Sequence, residues 1–322
     1  MEEISVRYQE KYRKYVLDKI RRYTNQKWWG NVRYSTIGSW INQFPKDNKD
    51  SIVAYLLLDS IFILTNEHIE ASAKSLVEKI RNDIFCDEFQ INSGDLMYDD
   101  SYFEGLWNDH MRDSIFISAQ KHGDTAGSAA QIARSFRNIL DTQYREIDID
   151  AICKDVLTRK PKNVYITCDF IGTGKQMDDF LNYEINCKSP MDNCKPTCCL
   201  IEIFNKYPKV NFNILAIAAH IDGLQNLKKN YTKLKILTAN LLTSEYDLLS
   251  SKTRTNIDEC YITDVGNAVN KIRERYNMHS NYSLNLPIGF EYGFPNNSLE
   301  LFWWPKSENG WKSIIPRKDG AK

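Results

Sequence analysis

Residues 164–180, VYITCDFIGTGKQMDDF, read as an apolar strand that runs into an acidic residue, a Gly-x-Gly turn and the first turn of a helix. Alternating β-branched and aromatic residues make Val164 to Thr167 a buried strand. Gly172 and Gly174 bracket a turn whose backbone N–H groups, with the positive end of the following helix, converge on one point, as in phosphate sites. The alternative is a tight turn without a ligand. On either side the same pattern repeats: DSIFISAQ (113–120) is a strand and GDTAGSAAQIARSFRNIL (123–140) a glycine turn entering a helix. NFNILAIAAH (211–220) is a strand, DGLQNLKKNY helical and KLKILTANLL (233–242) a strand. Strands alternating with helices predict a parallel α/β sheet with ligands at the carboxyl ends of its strands.

Upstream the pattern is helical. Ile4, Tyr8, Tyr12, Tyr15, Val16, Ile20 and Tyr23 share one face of an amphipathic helix, with Lys and Arg mostly elsewhere. That basic excess reads as a solvated helix face, with an anion or RNA contact as the rival. A short helix holding Trp40 and Phe44 stops at Pro45; a long apolar helix and a third, amphipathic helix follow, and the best apolar run there, SIVAYLLLDSIFIL, is interrupted by Asp59. Residues 86–101 are acidic and turn-rich, which predicts a connection and a boundary near 105. The expectation is a helical domain over 1–105 and a sheet domain over 106–322.

The chain of 322 residues is long enough for two domains, each with its own core. Its 42 basic and 42 acidic residues cancel, so no global field draws nucleic acid or an anionic membrane. Direct nucleic-acid binding is therefore not expected. No apolar run reaches membrane-spanning length and the N-terminus lacks an apolar signal core, which predicts a cytoplasmic protein with reduced thiols. Cys187, Cys194, Cys198 and Cys199 cluster, but without the Cys-x2-Cys pairs that suit zinc, so no structural metal is expected. His220, at a strand end, reads as a base, a nucleobase contact or a hydrogen-bonded structural residue.

Gly172–Gln176 is too short for a nucleoside-triphosphate loop, and Met177 stands where a dinucleotide fingerprint needs its third glycine. Cys168-Asp169-Phe170-Ile171-Gly172-Thr173-Gly174-Lys175-Gln176 instead resembles the phosphoribosyl pyrophosphate motif of type I phosphoribosyltransferases: two acids, two apolar residues, a small residue, Thr-Gly, any residue, Thr. With Gly172–Gln176 and the later Pro295-Asn296-Asn297-Ser298-Leu299-Glu300-Leu301-Phe302-Trp303, the chain from about residue 100 is similar to the phosphoribosyltransferase-like family associated with bacterial conflict systems.

The resemblance implies a type I phosphoribosyltransferase-like fold binding phosphoribosyl pyrophosphate or a related 5-phosphoribosyl nucleotide with Mg²⁺. Ribosyl transfer to a nucleobase-like acceptor would follow. Asp169 would hold the ribose as the catalytic residue, while Gly172, Thr173, Gly174, Lys175 and Gln176 enclose the 5-phosphate. Gly123, Gly127 and Ser128 would open a pyrophosphate loop, with Arg134 or Arg137 supplying charge; the plain alternative is a helix start capped by Asp124 or Thr125. Asn296 and Asn297 would line the site, against a plain Asx turn followed by the core aromatics Trp303, Trp304 and Trp311. An antiviral defence role follows, with a protein partner docking through the helical domain. Cys168 and Gln176 depart from the motif, and a thiol cannot take two charged hydroxyl bonds. The alternative is thus a non-catalytic nucleotide-sensing or partner-binding module; an acid restored at 168 is expected to strengthen ribose binding.

Overall fold

The computed structural model describes residues 2–45, 50–91, 100–119, 128–152, 156, 161–186, 197–251, 253, 257, 259–278, 284–305 and 310–315. In chain order its first elements are α1 (Glu2–Asn25), α2 (Tyr34–Ile41), α3 (Asp50–Ser60), β1 (Phe62–Leu64), α4 (Asn66–Ile91), α5 (Asp100–Arg112) and β2 (Ser114–Ser118). After them come α6 (Ser128–Leu140), β3 (Asn163–Ile171), α7 (Lys175–Leu181), β4 (Ile185–Asn186), β5 (Thr197–Cys198) and α8 (Leu200–Lys206). The last are β6 (Asn211–His220), α9 (Ile221–Asn230), β7 (Lys235–Leu242), α10 (Glu259–Arg275) and β8 (Ile288–Phe290). They gather into two compact units, Met1–Glu67 with Leu242–Lys322, and His68–Leu241. Position 105, where composition changes, lies within α5, and the acidic stretch before it is helical as far as Ile91. None of the described helices is long and apolar enough to cross a membrane.

In the first unit, the N-terminal helices share one core with the C-terminal segment. The indoles of Trp40 and Trp311 both donate to the Leu301 carbonyl, at 2.8 and 2.9 Å. Trp40 packs edge-on against Phe44 with ring centres 4.6 Å apart. Trp303 and Trp304 are also buried, so the late tryptophans are core aromatics. The aromatic stripe of α1 is only partly used: Val16 and Ile20 are buried, while Tyr8 and Tyr15 are 67 % and 54 % exposed. Tyr12 donates to Asp59, whose carboxylate also pairs with Lys19 at 2.6 Å. That pairing lets the charge interrupting the apolar run be buried. The run itself is not one helix. It ends at Ser60, and Phe62–Leu64 becomes a strand paired in parallel with Ile288–Phe290.

The second unit is built on a four-stranded sheet in the order β2-β3-β6-β7. β2, β3 and β6 are parallel, with Ser114 opposite Asn163 and Asn163 opposite Asn211. A single parallel bridge joins Phe116 to Glu146, closed by Phe116 N–H to Arg145 and Ile147 N–H to Phe116. The chain therefore leaves β2, crosses α6 to the outer edge at 146, and returns past β2 to β3. The order in which the chain adds strands reverses between β2 and β3, although the strands themselves stay parallel. One face carries Phe116, in ring contact with Phe136 of α6. The other holds an aliphatic core of Val164, Ile166, Ile214 and Ala216 with Met177, Phe180 and Leu227 of α7 and α9.

Candidate phosphate site at the sheet reversal

In a doubly wound sheet, connections on either side of a reversal diverge to opposite faces and leave a crevice at the carboxyl ends of the strands. Here that point is the end of β2 and β3. β3 ends at Ile171, and Gly172 and Gly174 are buried in the turn that follows. Gly174 has φ +86°, the left-handed region that favours glycine, and stands at the N-terminus of α7 without a side-chain cap. The first-turn amides of a helix have no intrahelical acceptor, so the turn presents N–H donors together. The Lys175 and Gln176 side chains are exposed, and Thr173 is half-buried.

The turn is braced from α9. Gly223 packs so closely that a β-carbon there would lie 2.1 Å from the Gly172 carbonyl oxygen. A β-carbon on Gly174 would lie 2.9 Å from the Gly223 oxygen. Asn226 Nδ2 donates to the Thr173 carbonyl at 3.1 Å. At the foot of α7, Tyr231 donates to Asp178 and accepts from Asn182. Gly223 and Asn226 play no part in the motif reading, because their role arises only when α9 is laid beside the turn. The sequence signal was the His220-Ile221-Asp222-Gly223 step after a strand. His220 is 1 % exposed and caps α9, its Nδ1 accepting from Asp222 N–H at 3.3 Å. Its Nε2 has no partner among the described residues.

Asp169 and Cys168, neighbours on β3, have different environments. Asp169 is half-buried and accepts the Phe170 N–H at 2.7 Å. Cys168 is 5 % exposed and packs in the aliphatic core with α7 and α9. Burial, with the nearby Asp169 charge, pushes its thiol well above the ordinary range, so it stays protonated. An acid restored at 168 would be enclosed in that core, which argues against the expected strengthening of ribose binding.

At the end of β2, Ser118 Oγ donates to Glu146 at 2.8 Å, and Arg137 pairs with the other Glu146 oxygen at 2.5 Å. Arg137 is thus engaged on the α6 side, and Arg134 is exposed. Glu146 carries no sequence signal, because a one-residue bridge has no strand periodicity. Ser128 opens α6, whereas Gly123 and Gly127 lie outside the described residues, as do Asp124 and Thr125. Cys187 and Cys194 also lie outside them, while Cys198 is on β5 and Cys199 precedes α8. Asn296 and Asn297 belong to the first unit. They form a turn closed by Ser298 N–H to the Pro295 carbonyl at 3.0 Å. Asn297 is 8 % exposed, its Nδ2 unpartnered among the described residues.

A parallel sheet whose order of connection reverses, a braced glycine turn and a carboxylate three residues before it suit a phosphoribosyltransferase-type α/β protein. The PRTase-CE family model matches residues 37–317, and the chain belongs to that phosphoribosyltransferase-type family. No curated protein matches it significantly.

Proposed function

We propose that this chain binds a 5-phosphoribosyl ligand, phosphoribosyl pyrophosphate or a related nucleotide, at the Gly172–Gln176 turn. The observation that carries this reading is the uncapped, glycine-bracketed turn at the sheet reversal with Asp169 three residues before Gly172. The turn amides and the Thr173 hydroxyl enclose the 5-phosphate; Asp169 accepts from a ribose hydroxyl. Mg²⁺ keeps most of its shell from water and substrate oxygens, so one nearby carboxylate suits it. Asp169 would share an ion brought in by the pyrophosphate, whose charge would stabilise the leaving group.

The reaction that suits this site is displacement of pyrophosphate from the anomeric carbon by a nucleobase-like acceptor. Asp169 then also stands near the positive charge that develops on the ribose. One observation favours a second reading as a nucleotide-sensing or partner-binding module: the motif's first acid is replaced by a thiol packed in the core. Pyrophosphate release from phosphoribosyl pyrophosphate with Mg²⁺, assayed across the five nucleobases, separates the two. Release with any base supports transfer; binding without release supports the sensor.

A cytoplasmic role in antiviral defence, with a partner held through the N-terminal helices, belongs to the same proposal, supported by the paired motifs at 172–176 and 295–303. Phage challenge of cells carrying the parent or Asp169→Asn tests it: equal plating efficiency on both removes the site from any such role.

A further inference from the structure

The opposite end of the same sheet carries polar side chains that the phosphate site does not use. At the amino ends of β3, β6 and β7 lies a cleft of about 600 Å³, within the range of small-ligand pockets. Two asparagines on its walls, Asn163 and Asn213, are 7 % and 6 % exposed, where strands covered on both faces are ordinarily apolar. Aliphatic walls come from Ile80 and Ile84 of α4 and from Leu237.

The polar groups form a directed chain. Asn211 Nδ2 donates to Asn163 Oδ1 at 3.2 Å, and Asn163 Nδ2 stands 3.5 Å from His110 Nδ1. His110 Nε2 lies 2.7 Å from the Tyr165 hydroxyl. Burial holds the His110 pKa down at about 4, so near neutral pH the ring carries one proton. With Nδ1 accepting, Nε2–H donates to Tyr165, and the Tyr165 proton is left pointing onward. Among the described residues nothing accepts that proton, and nothing donates to the side-chain carbonyl of Asn213, whose amide donates to Asn211 O at 3.3 Å. Neither atom is among the buried side-chain atoms left without a partner; both belong to residues that line the cleft, where a ligand would meet them in place of water. At the rim, Lys162 pairs with Asp113 at 2.8 Å and Lys235 with Asp83 at 2.7 Å. Lys233 is exposed and has no ion pair among the described residues.

We propose that this cleft is a second ligand site, for a planar nitrogen heterocycle bearing one anionic group, the chemistry of a nucleoside monophosphate. Asn163, Asn213 and Tyr165 meet the donors and acceptors on the edge of the ring. An amide side chain matches such an edge in two directions at once. Ile80, Ile84 and Leu237 cover its faces, and Lys233 takes the anion. The site stands at the far end of β3 from the Gly172–Gln176 turn, roughly 25–30 Å away at the rise of a nine-residue strand.

Calorimetric titration of the full chain with AMP and with GMP tests this, with adenosine and ribose 5-phosphate as half-probes. One mononucleotide should bind more tightly than either half-probe. Lys233→Glu, at an exposed position, should weaken it about tenfold or more, Asn213→Leu should remove it, and Gly174→Val should leave it unchanged. Absence of binding by both nucleotides at millimolar concentration overturns the proposal. So does binding that survives Lys233→Glu and Asn213→Leu but is lost in Gly174→Val, which would place the nucleotide at the turn. Failure here leaves phosphoribosyl pyrophosphate binding at the turn to be judged by its own titration.

Discussion

Gly223 of α9 and Gly172 of the turn are in contact so close that a single methyl on the former would stand 2.1 Å from the carbonyl oxygen of the latter. The shape of the Gly172–Gly174 turn is thus set by a residue more than fifty positions downstream. In an exposed helix, glycine to alanine stabilises by about 0.5–1 kcal/mol. Gly105 of α5 is such a position, with nothing near its missing side chain. Gly105→Ala should therefore raise the melting temperature slightly. Gly223→Ala should lower stability by about 1–3 kcal/mol through overpacking against backbone and should abolish phosphoribosyl pyrophosphate binding. Thermal melts and titration of the two variants check this contrast.

Cys168 offers a reversal of what its motif position implies. Because its thiol lies in the aliphatic core with α7 and α9, Cys168→Ala should cost about 1–2 kcal/mol as a small cavity. Cys168→Asp should cost about 3 kcal/mol or more, since it buries a carboxyl group without a partner. Urea denaturation of both variants measures the difference. Higher ligand affinity in a stable Cys168→Asp protein would show that the side chain reaches the ligand.

His110 predicts a pH dependence of stability. Its folded pKa, lowered to about 4 chiefly by burial, lies below the ordinary value of 6.5. Asp113 partly opposes that shift, while Lys162 and Lys235 add to it. Between those values the unfolded chain binds the proton and the folded chain does not. Stability is therefore full above pH about 6.5 and falls as pH drops towards 4. The solvent-screened loss should be on the order of 1–3 kcal/mol. His110→Gln should flatten that part of the profile, measured by urea midpoints between pH 4 and 7.

Trp311 ties the C-terminal segment to the first unit's core, fully buried and hydrogen-bonded to the carbonyl that Trp40 also uses. Trp311→Ala should cost about 3–5 kcal/mol. Truncation before residue 310 should do at least as much. A melting curve unchanged by either would contradict the shared core.

The sheet could be read in the sequence because β2, β3, β6 and β7 are apolar runs bounded by helical patterns, and the Gly172–Gly174 turn because glycine has few other reasons to stand there. Three features could not be read. Phe62–Leu64 belongs to the same apolar run as α3, interrupted only by Asp59 and Ser60, and only its pairing with Ile288–Phe290 makes it a strand. The reversal of the sheet depends on the single bridge at Glu146. Tyr8 and Tyr15 keep the spacing of a core stripe yet face solvent, because the spacing names a face without saying how far its partner extends. At the site, Asp169 and the turn follow from the motif, while the bracing by Gly223 and Asn226 follows only from the fold.

The most direct measurement is calorimetric titration of the parent and Asp169→Asn with phosphoribosyl pyrophosphate, ribose 5-phosphate and inorganic phosphate, each with and without Mg²⁺. If the turn holds the 5-phosphate and Asp169 the ribose, Asp169→Asn should weaken both ribose-bearing ligands by about 1.5–3 kcal/mol, tenfold or more, and leave inorganic phosphate nearly unchanged. Mg²⁺ should strengthen only the pyrophosphate-bearing ligand. Equal affinity of parent and Asp169→Asn for all three ligands, or no binding of any of them to the parent, would contradict the account.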